Sequence, residues 1–171
     1  MATGPRYAVR FRRQRTGSTN YAKRLKMLRA RLPRLIVRKS NKYITLQIIE
    51  YDAKGDKTIV TAHSSELKEA GWKYGMKNTP AAYLTGIIAA KKAKDKKIKK
   101  AILDIGSYVP SKGTKLFAAL KGAVDGGLEI AYNPEILPDE KRISGQHIAN
   151  WLKKPAMVDD FANIKQKLLG K

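Results

Sequence analysis

The sequence lacks cysteine altogether and has only two histidines, His63 and His147, with no ligand partners at metal spacing. That rules out a disulfide framework, a thiolate nucleophile and a thiolate metal site. No apolar run reaches the roughly 18 residues needed to cross a bilayer, and the leading segment lacks the apolar stretch of a secretory signal, so a cytosolic protein is expected. An Arg-rich, acid-free start would also suit an organellar transit peptide. Against that, Pro5 and the Arg-rich segment that follows carry the pattern past any plausible cleavage point. There is no glycine-flanked serine of the kind that forms a nucleophile elbow. The most telling shortage is of acid. The chain has 14 Asp and Glu against 36 Lys and Arg, and none of the acids precedes Glu50.

The first 49 residues hold fourteen Lys or Arg with no counter-charge. Such a segment repels itself and finds its low-energy state against a dense array of negative charge. Of the formal +22, most of the remainder lies in Lys91 to Lys100, with seven Lys and one Asp, and the rest of the chain is nearly balanced. The pattern is that of a neutral globule with two basic patches, which points to a located polyanion site. Arg6, Arg10, Arg12, Arg13, Arg15 and Arg24 are placed to neutralise phosphates. Tyr7, Phe11 and Tyr21 can stack on unpaired bases or sugars, and Thr16, Asn20, Ser40, Asn41 and Tyr43 can hydrogen-bond. These are the groups that structured RNA requires of a protein.

Residues 1–19, with Gly4, Pro5 and Gly17, predict an extended arm, disordered until RNA orders it. Asn20 caps a short basic helix in which Tyr21, Leu25 and Leu28 share a face, and Pro33 ends it. Leu35–Lys39, Tyr43–Ile49 and Thr58–Ala62 predict an antiparallel meander. In its middle strand Ile44, Leu46 and Ile48 alternate with polar residues. Ser64 or Ser65 should cap a short helix bearing Glu66 and Glu69. Thr79-Pro80 should open a longer one with Leu84, Ile87 and Ile88 buried, running into the lysine cluster. Ala101–Ile105 predicts a central parallel strand, followed by a helix with Leu116, Leu120, Ala123 and Val124 on one face. Gly126-Gly127 stops that helix, and a short strand is expected at Leu128–Ile130. Ile143–Leu152 and Val158–Leu169 predict helices in a C-terminal appendage. The fold class is therefore α/β: a mixed sheet of three antiparallel strands followed by an αβα unit. Its expected divisions are 1–32 (basic arm and short helix), 33–131 (core) and 132–171 (helical extension).

The loop from Gly106 to Lys115 lies where a phosphate-binding loop would lie, but six residues separate its glycines and the order is Gly-Thr-Lys. A Walker motif needs four and then Lys-Ser/Thr, so nucleotide hydrolysis is rejected. Lys112 and Lys115 at the following helix start could still hold a single phosphate, or could be ordinary loop lysines. Asp104 on the central strand has no convergent carboxylates with which to bind two metals. His63 ends a strand and should hydrogen-bond or stack. Lys91–Lys100 reads first as a solvated helix end, where cations meet the helix dipole, and second as a non-specific RNA contact. Trp72, Tyr74 and Tyr83 divide evenly between core and contact surface; the first two lie in an acid-free loop (Gly71–Asn78) that includes Lys77.

The blocks Ala2–Tyr7, Pro33–Lys42, Ala62–Leu67, Pro80–Gly86 and Leu103–Gly106 resemble, in order, the archaeal form of the universal eighteenth protein of the large ribosomal subunit. The resemblance spans nearly the whole chain apart from the last dozen or so residues. It implies an RNase-H-like core, no catalysis, no cofactor and no small-molecule substrate. It implies 5S rRNA, large-subunit rRNA and neighbouring ribosomal proteins of the central protuberance as partners. By this likeness the arm, the turn of Arg38, Ser40, Asn41 and Lys42, and the segments around Ser64 and Asn78 would face RNA; Tyr43, His63 and Lys77 border them. The alternative from another class is an RNA-processing or RNA-modifying enzyme. A membrane role is not expected, because the helix after Asn20 has too little apolar face to insert.

Overall fold

The computed structural model describes residues 4–170. Its centre is a four-stranded mixed sheet of β1 (Arg34–Lys39), β2 (Ile44–Glu50), β3 (Lys57–His63) and β4 (Ile102–Asp104), in the order β3-β2-β1-β4. β1 pairs antiparallel with β2 and β2 with β3, while β4 joins β1 in parallel. The β1–β2 register sets Leu35 opposite Ile48 and Val37 opposite Leu46, so the alternating apolar residues of the two strands share one face. In β1 four successive residues, Arg34 to Val37, are buried, because that strand is covered on both sides.

On the apolar face lie α3 (Thr79–Asp95) and α4 (Lys115–Asp125). α3 is buried all round from Thr79 to Ala90. It rests on β2 and β3 and against α4, and its start also meets α5 (Glu140–Ile143) and α7 (Ala156–Leu169). The crossing of α3 and α4 depends on two glycines. A β-carbon on Gly86 would overlap the Ala119 carbonyl, and one on Gly122 would overlap the Tyr83 carbonyl.

Several boundaries differ from the sequence expectation. The arm is not wholly extended, since Arg12–Arg15 forms a short helix, α1; the expectation for Met1 to Thr3 lies outside the described residues. α2 (Tyr21–Leu28) is capped by Asn20, whose Oδ1 accepts from the Lys23 amide at 3.0 Å. The 3₁₀ turn Ser64–Lys68 is capped by His63 rather than by a serine, because the Ser64 hydroxyl is occupied across the sheet by the Ile44 amide at 3.1 Å. Asn78, not Thr79, caps α3. Leu128–Ile130 makes only one parallel bridge, Lys100 with Glu129, and no strand, so β4, expected to be central, is an edge strand of the sheet. The expected helix at Ile143–Leu152 is cut in two at Gly145, which adopts φ +83°, so that α5 is separate from α6 (Gln146–Leu152).

Nor do the C-terminal helices stand off as an appendage. Met157, Phe161 and Ile164 of α7 enter the same core as Tyr83 and Leu84. Phe161 packs on the Tyr83 ring at 5.6 Å, and the Tyr74 hydroxyl donates to Asp160 at 2.8 Å. Trp72 and Tyr83 are core residues. The Tyr83 hydroxyl donates to Asp125 at 2.8 Å, and burial together with that acceptor pushes its pKa upward.

Gly122→Ala is expected to lower stability by about 1–3 kcal/mol, since overpacking forces two helix backbones apart. Urea unfolding of the variant beside the wild-type chain measures it; equal midpoints would mean that the crossing can relax.

Candidate nucleic-acid interface

The sheet face opposite α3 and α4 carries the arm and α2. A cavity of about 220 Å³ separates these from the sheet; it is lined by Arg13, Asn20, Lys23, Arg24, Arg34 and Arg38, with Asp56 and Asp104. Arg34 is buried, and a buried charge is tolerated only when paired. Its Nη2 meets Asp56 at 2.6 Å and its Nη1 meets Asp104 at 3.0 Å. Asp56 also takes Arg24 of α2 at 2.7 Å, and the Gly106 amide donates to Asp104 at 2.8 Å. Asp104 is therefore a structural counter-ion, and no group of acids and histidines among the described residues could hold a metal ion.

Gly106 and Ser107 form a seam. On one side the Lys23 ammonium donates to the Gly106 carbonyl at 3.4 Å and the Ser107 hydroxyl to the Gly17 carbonyl at 3.1 Å, fastening the arm. The Arg38 guanidinium lies so close over Gly106 that a β-carbon there would strike it. On the other side opens a groove of about 870 Å³, bordered by Lys39, Ser40, Asn41, Lys77, Lys112, Lys115 and Arg142. Segments from four parts of the chain converge here: the β1–β2 turn, the entry to α3, the 107–115 loop and α5. Tyr108 ties two of them, its hydroxyl donating to the Lys39 carbonyl at 3.1 Å while the Lys39 ammonium sits 4.9 Å from the ring centre. Thr114, the N-cap of α4, makes no side-chain bond to its helix, so the positive helix end meets the groove uncapped. Burial, and then the charges of Lys77 and Lys39, hold the Lys115 pKa below the usual lysine value. Cations crowded in this way, with Glu135 3.8 Å from Lys112, give the groove a positive potential.

The other candidates fall into three groups. Arg6, Tyr7, Arg10, Phe11, Arg12, Arg15 and Thr16 are exposed along the arm, where the Phe11 and Tyr21 rings lie 5.5 Å apart. Lys42, Tyr43 and His63 form a neighbouring surface: the Tyr43 and His63 rings are 4.9 Å apart, and the imidazole Nδ1 shares a 2.6 Å hydrogen bond with Ser65. Beyond Asn20, which caps α2, and Arg24, which pairs with Asp56, two more candidates are spent internally. Ser64 is fully buried, and the Asn78 Oδ1 accepts from Ala81 at 2.9 Å. Lys39, Lys23, Ser107 and Arg142 were not foreseen; Lys39 was legible as the neighbour of the turn, but nothing in sequence ties Arg142 to Lys77. The Lys91–Lys100 run lies at the far end of α3, about 25 Å from Asn78 at 1.5 Å per residue. There Lys92 pairs with Glu66 at 2.8 Å, and the rest is mostly solvated.

The fold and this face define a class: a small basic α/β protein shaped to lie against a polyanion. The family described as "Ribosomal large subunit proteins 60S L5, and 50S L18" matches residues 5–99 and 91–133. The chain is 52% identical over 154 residues to large ribosomal subunit protein uL18 of Korarchaeum cryptofilum (strain OPF8), covering 90% of this chain and 79% of the relative. It is 50% identical over 166 residues to large ribosomal subunit protein uL18 of Methanoregula boonei (strain DSM 21154 / JCM 14090 / 6A8), covering 97% and 94%. The chain belongs to this ribosomal protein family. Its role is accordingly structural and not enzymatic, its place is the cytoplasmic large ribosomal subunit, and its partners are rRNA and other ribosomal proteins. No helix among the described residues is long and apolar enough to cross a membrane.

Lys115 yields a test of sign. With a depressed folded-state pKa, it binds its proton more weakly folded than unfolded, so stability rises as pH climbs from the lowered value towards the ordinary one. Replacing it with methionine is expected to leave the melting temperature at neutral pH equal or higher. The same change should weaken RNA binding and reduce the salt slope by about 1. A loss of stability with unchanged RNA affinity would make Lys115 a structural residue.

Proposed function

We propose that the protein binds 5S rRNA and helps anchor it to the large rRNA in the central protuberance. The carrying observation is the continuous cationic face that runs from the arm across Gly106–Ser107 to the lysine groove. Arginines Arg6, Arg10, Arg12, Arg13 and Arg15 grip closely spaced phosphates. α2 follows a groove of the RNA, and Tyr7, Phe11 or Tyr21 stacks on an unpaired base, a contribution of roughly 1–3 kcal/mol per base. Lys39, Lys77, Lys112 and Lys115 take a second stretch of backbone, with Arg38, Ser40, Asn41 and Lys42 between. Residues 33–131, with the helical extension 132–171 packed into the same core through α7, act as the body, and residues 1–32 as the grasping segment. The antiparallel β1–β3 followed by α3, β4 and α4 supports an RNase-H-like reading of the body. Every residue from Gly4 to Ser18 is exposed, so the arm settles fully only on RNA, at an entropic cost.

With about eight phosphates engaged, log affinity for 5S rRNA should fall against log salt with a slope on the order of −6 to −7. Filter binding across a salt series checks this; a slope near −1 contradicts it. Removal of residues 1–19 is expected to abolish 5S rRNA binding while far-ultraviolet circular dichroism still reports a folded body. Binding that persists with the same salt dependence would remove the arm from the mechanism.

A further inference from the structure

Trp151, near the end of α6, is 86% exposed, and Leu152 beside it is 50% exposed. The helix that carries them is well held. Ala149 is buried, the Lys154 amide donates to the Ala149 carbonyl at 2.9 Å, and Gly145 packs so tightly on Pro80 that a β-carbon would strike its ring. An anchored helix that leaves an indole in water marks a contact surface, because the flat ring gains most from being covered.

The surroundings indicate what covers it. Between Glu140 and Asp159 there is no acid, while Lys141, Arg142, Lys153 and Lys154 are basic. Arg142 already borders the lysine groove, and α6 starts from the Gly145–Pro80 contact at the entry to α3. Trp151 follows Gly145 by about 9 Å of helical rise, so it stands on the next element after the one that carries Arg142. A protein pocket would also accept a tryptophan and a leucine, but flanks without acid and with paired lysines complement a polyanion.

We propose that Trp151, with Lys153 and Lys154 beside it, is a stacking platform for an unpaired base of ribosomal RNA, a foothold separate from the N-terminal arm. This inference rests on the RNA-binding reading above. The other tryptophan, Trp72, is buried, so an aqueous quencher such as acrylamide reports mainly on Trp151. The full chain is titrated with 5S rRNA and, separately, with protein-stripped large-subunit rRNA, and complex formation is followed by gel shift. At saturation with one of these RNAs, acrylamide quenching is expected to fall severalfold. Trp151→Ala should weaken that complex roughly tenfold with an unchanged melting temperature, and Trp151→Phe much less. The double variant Lys153→Gln, Lys154→Gln should lower the salt slope by about 2. A triple Arg12→Ala, Arg13→Ala, Arg15→Ala variant should bind more weakly yet still shield Trp151 once saturated. RNA that binds while Trp151 stays equally quenchable and Trp151→Ala binds equally well would overturn the platform and assign the ring to a protein neighbour. Failure of the wild-type chain to shift either RNA would instead overturn the RNA-binding reading, and the platform with it.

Discussion

The Arg34 guanidinium, buried between Asp56 and Asp104, fastens the arm face of this molecule to its sheet. One acid reaches on to Arg24 of α2, and the other to the amide of Gly106 at the seam. Removing a partner from such a buried pair typically costs about 3–5 kcal/mol, because the remaining charge is stranded. The arrangement also uses up acid. Asp56 and Asp104 are turned inward onto Arg34, so they do little to dilute the positive potential of the outer surface. The sheet's second face is thereby both fixed in place and left cationic.

That division suits a scaffold. On one side, α3 and α4 seal the apolar residues of β1, β2 and β3 into a core that also takes in α7. On the other, basic side chains lie on short helices and loops with few competing acids. Coulomb attraction between exposed groups is weak pair by pair in water, and it becomes decisive only when many like charges are held in register with a polyanion. The body supplies the register. Lys115 shows what it costs: burial, and then the charges of Lys77 and Lys39, disfavour the charge that is kept there.

The sheet was largely legible because its signals are local. Alternation in Ile44–Ile48 and the apolar run of β1 need no knowledge of the rest of the chain. α3 was legible from Thr79-Pro80, but the cap fell one residue earlier because Asn78 accepts the Ala81 amide. Serine looked the better cap at residues 64 and 65, yet the Ser64 hydroxyl is claimed by Ile44 on another strand, a competition that only tertiary contact creates. Leu128–Ile130 had strand composition and lacked a partner beyond one bridge. The basic character of the face was plain from the acid-free start of the chain. The joining of Lys39, Lys77, Lys112, Lys115 and Arg142 around one groove was not, since nothing local says that residue 142 returns to residue 77. Trp72 and Tyr83 show the same limit: a loop free of acid still folded its tryptophan inward.

The glycine contact between α3 and α4 bears on how the assembled particle accommodates strain. Where side chains separate two helices, rotamer changes can cushion a small slide; at Gly86 and Gly122 main chain touches main chain, and no cushion exists. The pair should behave as a single plate, with the grooved end of α3 and the lysine-rich end locked at fixed separation. Any load placed on one end of the pair must then reach the other end undiminished, or be taken up outside these two helices, not between them.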